Sequence, residues 1–171
     1  MNLQNIGHGS NVAKSFLQYI NEMDMSDITK SAGIAIIWDN KLLLVHPTYS
    51  SWKTGTCGIP KGHIENGEDP LDAAIRETWE EVGIQVTSDQ LEPEAHTLDI
   101  YSDSGKLIKQ IIYFVCRVSD LSEIGVDSVV IPKSKLQLSE VDWAKFVDPL
   151  AAYPIISRGQ MILLDRHLII K

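Results

Sequence analysis

The chain of 171 residues has a net charge of −8, with 44% hydrophobic and 22% charged residues. This length suits one domain with a sizeable core, and the acidic balance argues against a basic surface that grips nucleic-acid backbone. There is no apolar run of the ~18 residues needed to span a membrane and no signal-peptide pattern, and Cys57 and Cys116 lack zinc or C-x-x-C spacing, so two free thiols in a reducing, cytoplasmic setting are expected.

Along the chain, Val12, Phe16, Leu17, Tyr19, Ile20 and Met23 follow a Ser10 or Asn11 cap at roughly helical spacing. Residues 1–30 are therefore expected to form an N-terminal helical extension, covering a sheet edge or making a homodimer contact. Residues 31–171 form the main domain. Ser31 to Trp38 and Lys41 to His46 are β-rich runs separated by Asp39-Asn40, a hairpin signal. Residues 47–58, rich in Pro, Ser, Thr and Gly, read as a loop. Asp69-Pro70 then opens a helix as cap and first residue. Its inward stripe is Leu71, Ala74, Ile75, Thr78 and Val82, and Gly83 is the stop. Ile84 to Val86, His96 to Tyr101, Leu107 to Val118 and Val129 to Ile131 are further strand candidates, and residues 149–171 read as largely helical after Pro154. Strands, helix, strands, helix is the order of a mixed sheet between helices.

The acids on the central helix carry the chemistry. Glu77, Glu80 and Glu81 are three and four residues apart and share a face, where like charges repel by about a few tenths of a kcal/mol per exposed pair. Arg76 is the only base between Gly62 and Glu94. Such a cluster becomes favourable around a hard cation, and Mg²⁺ or Mn²⁺ held by carboxylates and shared with phosphates is the usual arrangement.

Residues 62–84 also resemble the Nudix box: Gly62, Glu68, Arg76-Glu77, Glu80-Glu81, Gly83 and Ile84 stand at its defining positions. Thr78 alone departs, where an aliphatic is expected. The resemblance implies an α/β/α sandwich with a mixed β-sheet. It also implies hydrolysis of a diphosphate linkage in a nucleoside diphosphate joined to another group, with Mg²⁺ as cofactor and Mn²⁺ able to substitute. By position, Glu77, Glu80, Glu81 and the Lys61 carbonyl are the metal ligands, while Glu68 and Arg76 pair to hold the carboxylates' rotamers. Gly62 and Gly67 serve the loop's conformation.

For the base that activates water, Glu80 and Glu81 are candidates inside the cluster, and Glu140 is the preferred one from a later loop. Pro60-Lys61-Gly62 resembles the branch containing dinucleoside polyphosphate hydrolases, with the Lys61 ammonium on a phosphate. A dinucleoside polyphosphate is thus the favoured substrate, ahead of a nucleoside triphosphate, ADP-ribose or an RNA 5′ end. Trp52 is the preferred base-stacking residue, over Tyr49 and Trp79. Lys53, Lys109 and Arg158 are candidate phosphate contacts, and His46 and His63 lack metal-ligand spacing. The rivals are a catalytically silent binding module, disfavoured because every box glutamate is present, and a diphosphate isomerase, which needs a reactive cysteine where only Cys57 is near.

Overall fold

The computed structural model describes residues 28–53 and 55–168. The helix expected over residues 10–23 lies outside them. Six strands, β1 (Thr29–Trp38), β2 (Lys41–Pro47), β3 (Lys61–His63), β4 (His96–Tyr101), β5 (Leu107–Val118) and β6 (Val141–Val147), form one mixed sheet. Its order is β4-β5-β1-β2-β6, with β3 paired to β1. Strand β1 is the centre. It runs parallel to β5 from Thr29 opposite Lys109 to Trp38 opposite Val118, and Ser31 to Ile37 are buried throughout. Burial on both faces explains why this strand reads as a continuous apolar run without alternation. The turn to β2 has two residues, Asp39 and Asn40, with φ of 48° and 57°, and leaves Trp38 opposite Lys41. Positive φ at both positions is the twist-compatible hairpin geometry that Asp and Asn tolerate.

Helix α1 (Pro70–Val82) covers one face of the sheet. The Asp69 side chain accepts from the Leu71 amide, Pro70 begins the helix, and Gly83 ends it at φ 62°, its N–H donating to the Trp79 carbonyl. Ala73, Ala74 and Val82 pack there with Ile34, Ile36 and Phe146. The departure at Thr78 is absorbed: its side chain is fully buried, and its hydroxyl donates to the Ala74 carbonyl at 2.8 Å. On the other face lie Ala35, Ile37, Tyr113 and Val115, packed with Ala152 of α2 (Pro149–Ala152) and with Leu163 and Leu164 of α3 (Ile162–His167). Helices on both faces make the α/β/α sandwich.

Three expectations need correcting. Ile84 and Val86 are buried but form no strand; they pack beneath α1 with no neighbouring strand to pair with. Residues 129–131 reach the sheet edge only through a bridge from Val130 to Lys145. After Pro149 the chain makes two short helices separated by a turn at Arg158–Gln160, because Cys57 and the Ser157 amide tie this segment back to the sheet side (2.7 Å). The unexpected β3 matters most for function. Strand β1 pairs with β3 at Ser31–Gly33 and with β2 only at Ile37 and Trp38. Residues 58–60 fill the divergence, Gly58 exchanging backbone bonds with Val45 and the Pro60 carbonyl accepting from Ile34.

Candidate active site

This divergence opens into a cleft of about 350 Å³, lined by Tyr49, Gly58, Lys61, Glu81, Glu140 and Gln160 among others. The volume lies in the range of small-molecule sites. Strand β3 and the facing end of α1 supply its charged wall. The Lys61 amide donates to Glu81 Oε2 at 3.0 Å, fixing the carboxylate against the strand. Glu77 turns toward Gly62, where a Cβ would fall inside its carboxyl group. Gly62 has no positive φ, so it is required for close approach, which corrects the sequence-based expectation that it serves the loop's conformation. Gly67, at φ 81°, is the position where conformation demands glycine.

Arg76 organises the acids. Its Nε and Nη2 grip both oxygens of Glu68 at 2.8 and 2.9 Å, the fork geometry only a guanidinium supplies. Its Nη1 donates to Glu77 Oε1 at 2.8 Å and to Glu80 Oε2 at 3.0 Å, and Nη2 also reaches the His63 carbonyl at 3.1 Å. The hydrogen bonds from Arg76 hold the Glu68 carboxyl down to about 2, and those same contacts raise the Arg76 pKa further.

Glu81 behaves oppositely. Burial pushes its carboxyl up to about 7; the charges of Glu77 and Glu140 act in the same sense, and Lys61 opposes them. The cleft thus holds more negative charge than its surroundings solvate. Glu77, Glu80 and Glu81 are hard oxygen donors suited to a divalent cation, and a cation would relieve that excess. In the present arrangement Arg76 holds one oxygen each of Glu77 and Glu80, and among the described residues no three acidic, His or Cys side chains converge on one point. The donor chemistry fits; the guanidinium occupies two of the carboxylates.

Glu140 lies exposed on the other side of the cleft, in a turn where its amide donates to the Gln137 carbonyl at 2.8 Å and the Gln137 amide to the Glu81 carbonyl at 3.0 Å. Lys109 stands within the electrostatic reach of Lys61 and Glu81, and burial, then Lys61, lowers its pKa. Lys53 and Arg158 are exposed and do not line the cleft. Trp52 is placed elsewhere: its ring stacks on His46 at 3.7 Å and meets Trp143 edge-on at 5.4 Å. His46 is buried, held by Asp142 at 2.7 Å. Burial pushes the Cys57 thiol up to about 11, so it stays protonated at neutral pH, opposite to the activated thiol an isomerase needs.

Gln160 is not among the site residues expected from sequence. It is 4% exposed, and its Oε1 accepts from the Ile59 amide at 2.9 Å. Only the folded chain brings this turn against residues 58 and 59.

A model of the NUDIX domain matches residues 28–156. The chain belongs to the Nudix family. It is 38% identical over 61 residues to a rat asymmetrical bis(5′-nucleosyl)-tetraphosphatase, spanning 36% of this chain and 41% of that protein. It is 30% identical over 92 residues to the m7GpppN-mRNA hydrolase dcap-2 of Caenorhabditis elegans, which covers 53% of this chain and 10% of that protein. The chain thus spans less than half the length of these curated relatives. Among solved structures, a C. elegans Ap4A hydrolase binary complex superposes with a TM-score of 0.57 at 27% identity, covering 81% of this chain and 93% of that one. Nudix proteins generally use divalent metal ions. No helix among the described residues is long and apolar enough to cross a membrane.

Proposed function

We propose that the protein is a divalent-metal-dependent pyrophosphohydrolase acting on a nucleoside polyphosphate derivative, with a dinucleoside polyphosphate as the favoured substrate and Mg²⁺ as the ion. The observation that carries this reading is the buried Glu81 carboxylate, bonded to the Lys61 amide and facing Glu77 and Glu140 in a cleft that also holds a lysine. Resemblance of this chain to asymmetrical bis(5′-nucleosyl)-tetraphosphatases supports the substrate.

Glu77, Glu80 and Glu81 are the residues that would hold the ion, with the Lys61 peptide beside them. When bound, the ion offsets charge on the phosphate oxygens and acidifies water. The chain's own residues do the rest. Lys61 orients the phosphate chain by its ammonium. Glu68 and Arg76 fix the rotamers of the carboxylates. Glu140, exposed at the cleft, accepts a proton from the attacking water as its oxygen bonds to phosphorus and the anhydride P–O bond breaks, the leaving phosphate taking the electron pair.

Release of mononucleotide or phosphate from a panel of dinucleoside polyphosphates, nucleoside triphosphates, ADP-ribose and triphosphorylated RNA, with Mg²⁺ and with EDTA, tests this. Turnover abolished by EDTA is expected, fastest on the dinucleoside polyphosphate. Absence of turnover on every member would overturn the reading.

A further inference from the structure

We propose that Tyr49 and Gln160 select the nucleobase of the substrate, Tyr49 by stacking on its face and Gln160 by donating a hydrogen bond to its edge. This rests on the pyrophosphohydrolase reading and adds what is recognised beyond the phosphates. Base recognition in a shallow cleft needs an aromatic face free to stack and a polar group of fixed orientation.

Among the described residues that line the cleft, Tyr49 offers the aromatic face. Trp52 stacks one face on His46, sets its edge against Trp143 and does not line the cleft. Trp79 lines a different depression, beside Ile75, Ile84 and Val86. Tyr49 is 90% exposed, makes no ring contact with a described residue, and lines the cleft that contains Lys61 and Glu81. Its backbone is braced: the Thr48 amide donates to the Glu140 carbonyl at 2.9 Å, and the Thr48 hydroxyl to the Leu138 carbonyl at 2.9 Å. The ring is therefore carried on a fixed turn, which lowers the entropy lost on stacking.

Gln160 supplies direction. Its Oε1 faces the Ile59 N–H, so the amide's orientation follows from the donor it meets. Nε2 lies toward Gly58, 2.5 Å from where a Cβ would stand there, and both residues line the cleft. Nε2 can only donate, and the ring nitrogens and carbonyls of a base are acceptors. Lys61 takes the anionic end of the same ligand. An ammonium, an amide donor and a free aromatic face in one cleft suit a nucleotide better than a sugar phosphate or bare polyphosphate.

The test is calorimetric binding, in Mg²⁺, of ADP and of inorganic pyrophosphate to wild type, Tyr49→Ala, Tyr49→Phe and Gln160→Glu. Measured at pH 9, so that the carboxyl is ionised, glutamate at 160 keeps an oxygen for the Ile59 amide and removes the donors. Tyr49→Ala should weaken ADP about 10-fold, within the range for base–aromatic stacking, and leave pyrophosphate within about twofold. Tyr49→Phe should bind like wild type. For Gln160→Glu the readout is the ratio of ADP to pyrophosphate affinity, in which added charge repulsion largely cancels; it should fall about fivefold. ADP binding that survives Tyr49→Ala, or that weakens in step with pyrophosphate, overturns the stacking role, and an unchanged ratio in Gln160→Glu overturns the edge contact. Wild type binding ADP no tighter than pyrophosphate overturns both. If no substrate is turned over but ADP binding still depends on Tyr49, the hydrolytic reading fails and base recognition stands.

Discussion

Replacing Glu81 by glutamine should stabilise the metal-free protein while destroying its activity. In the fold the carboxyl titrates near 7, against an ordinary value of 4.5, chiefly because it is buried. A raised carboxyl pKa means the folded state holds its proton to higher pH than the unfolded chain does. Stability is therefore undiminished below about pH 4.5, falls as pH rises toward 7, and stays low above it. The shift corresponds to about 3 kcal/mol, at 1.36 kcal/mol per pH unit. Glutamine is neutral at every pH, and its Oε1 can still accept the Lys61 N–H. At pH 8 in EDTA, Glu81→Gln should therefore melt roughly 6–12 °C above wild type, from about 2–4 °C per kcal/mol for a chain of this size. At pH 4.5 the two should melt together. With Mg²⁺ the gap should close at pH 8, since the cation stabilises the charged form of wild type, and kcat of the variant should be lower by orders of magnitude. The assay is differential scanning calorimetry at the two pH values, alongside turnover. Equal melting at pH 8 in EDTA would show that Glu81 is solvated and refute the burial argument.

Metal binding to the folded acids but not to the unfolded chain should raise the melting temperature, by about 2.7 kcal/mol of stability at a hundredfold excess over Kd; calorimetry with and without Mg²⁺ reads this, and full activity after exhaustive chelation would contradict it. Glu140→Gln should lower kcat strongly with KM nearly unchanged, because proton acceptance belongs to the transition state, whereas turnover within about twofold of wild type would return the base to Glu80 or Glu81. Gly62→Ala should cost roughly 1–3 kcal/mol by denaturant melts and depress kcat, since its methyl would collide with the Glu77 carboxyl; a wild-type melt would mean Glu77 can swing clear at no cost. Arg76→Lys keeps the charge but loses the fork that grips Glu68 while reaching Glu77 and Glu80, so kcat should fall at least tenfold with the fold intact; undiminished kcat would show that the guanidinium does not position the carboxylates.

What could be read from residue order alone is local. Asp69, Pro70 and Gly83 bound α1 because capping and a left-handed stop depend on neighbours in sequence, and Asp39-Asn40 closes the first hairpin for the same reason. The spacing of Glu77, Glu80 and Glu81 places them together because helical periodicity is a property of the segment itself. The sites that sequence misplaced all depend on contacts between distant segments. Trp52 follows Tyr49 by three residues, and nothing in those residues shows that His46 and Trp143 claim the tryptophan while the tyrosine stays free. Ile84 and Val86 look like a strand, yet a strand requires a partner edge, and the sheet has none there. Gly62 reads as a loop glycine until Glu77, on a helix packed across it, needs the space. Gln160 meets Ile59 only after the chain has crossed the sheet and returned. Short-range periodicity and capping thus specify the elements and the acidic face, while the cleft's composition depends on which remote backbone groups must find partners once burial removes them from water.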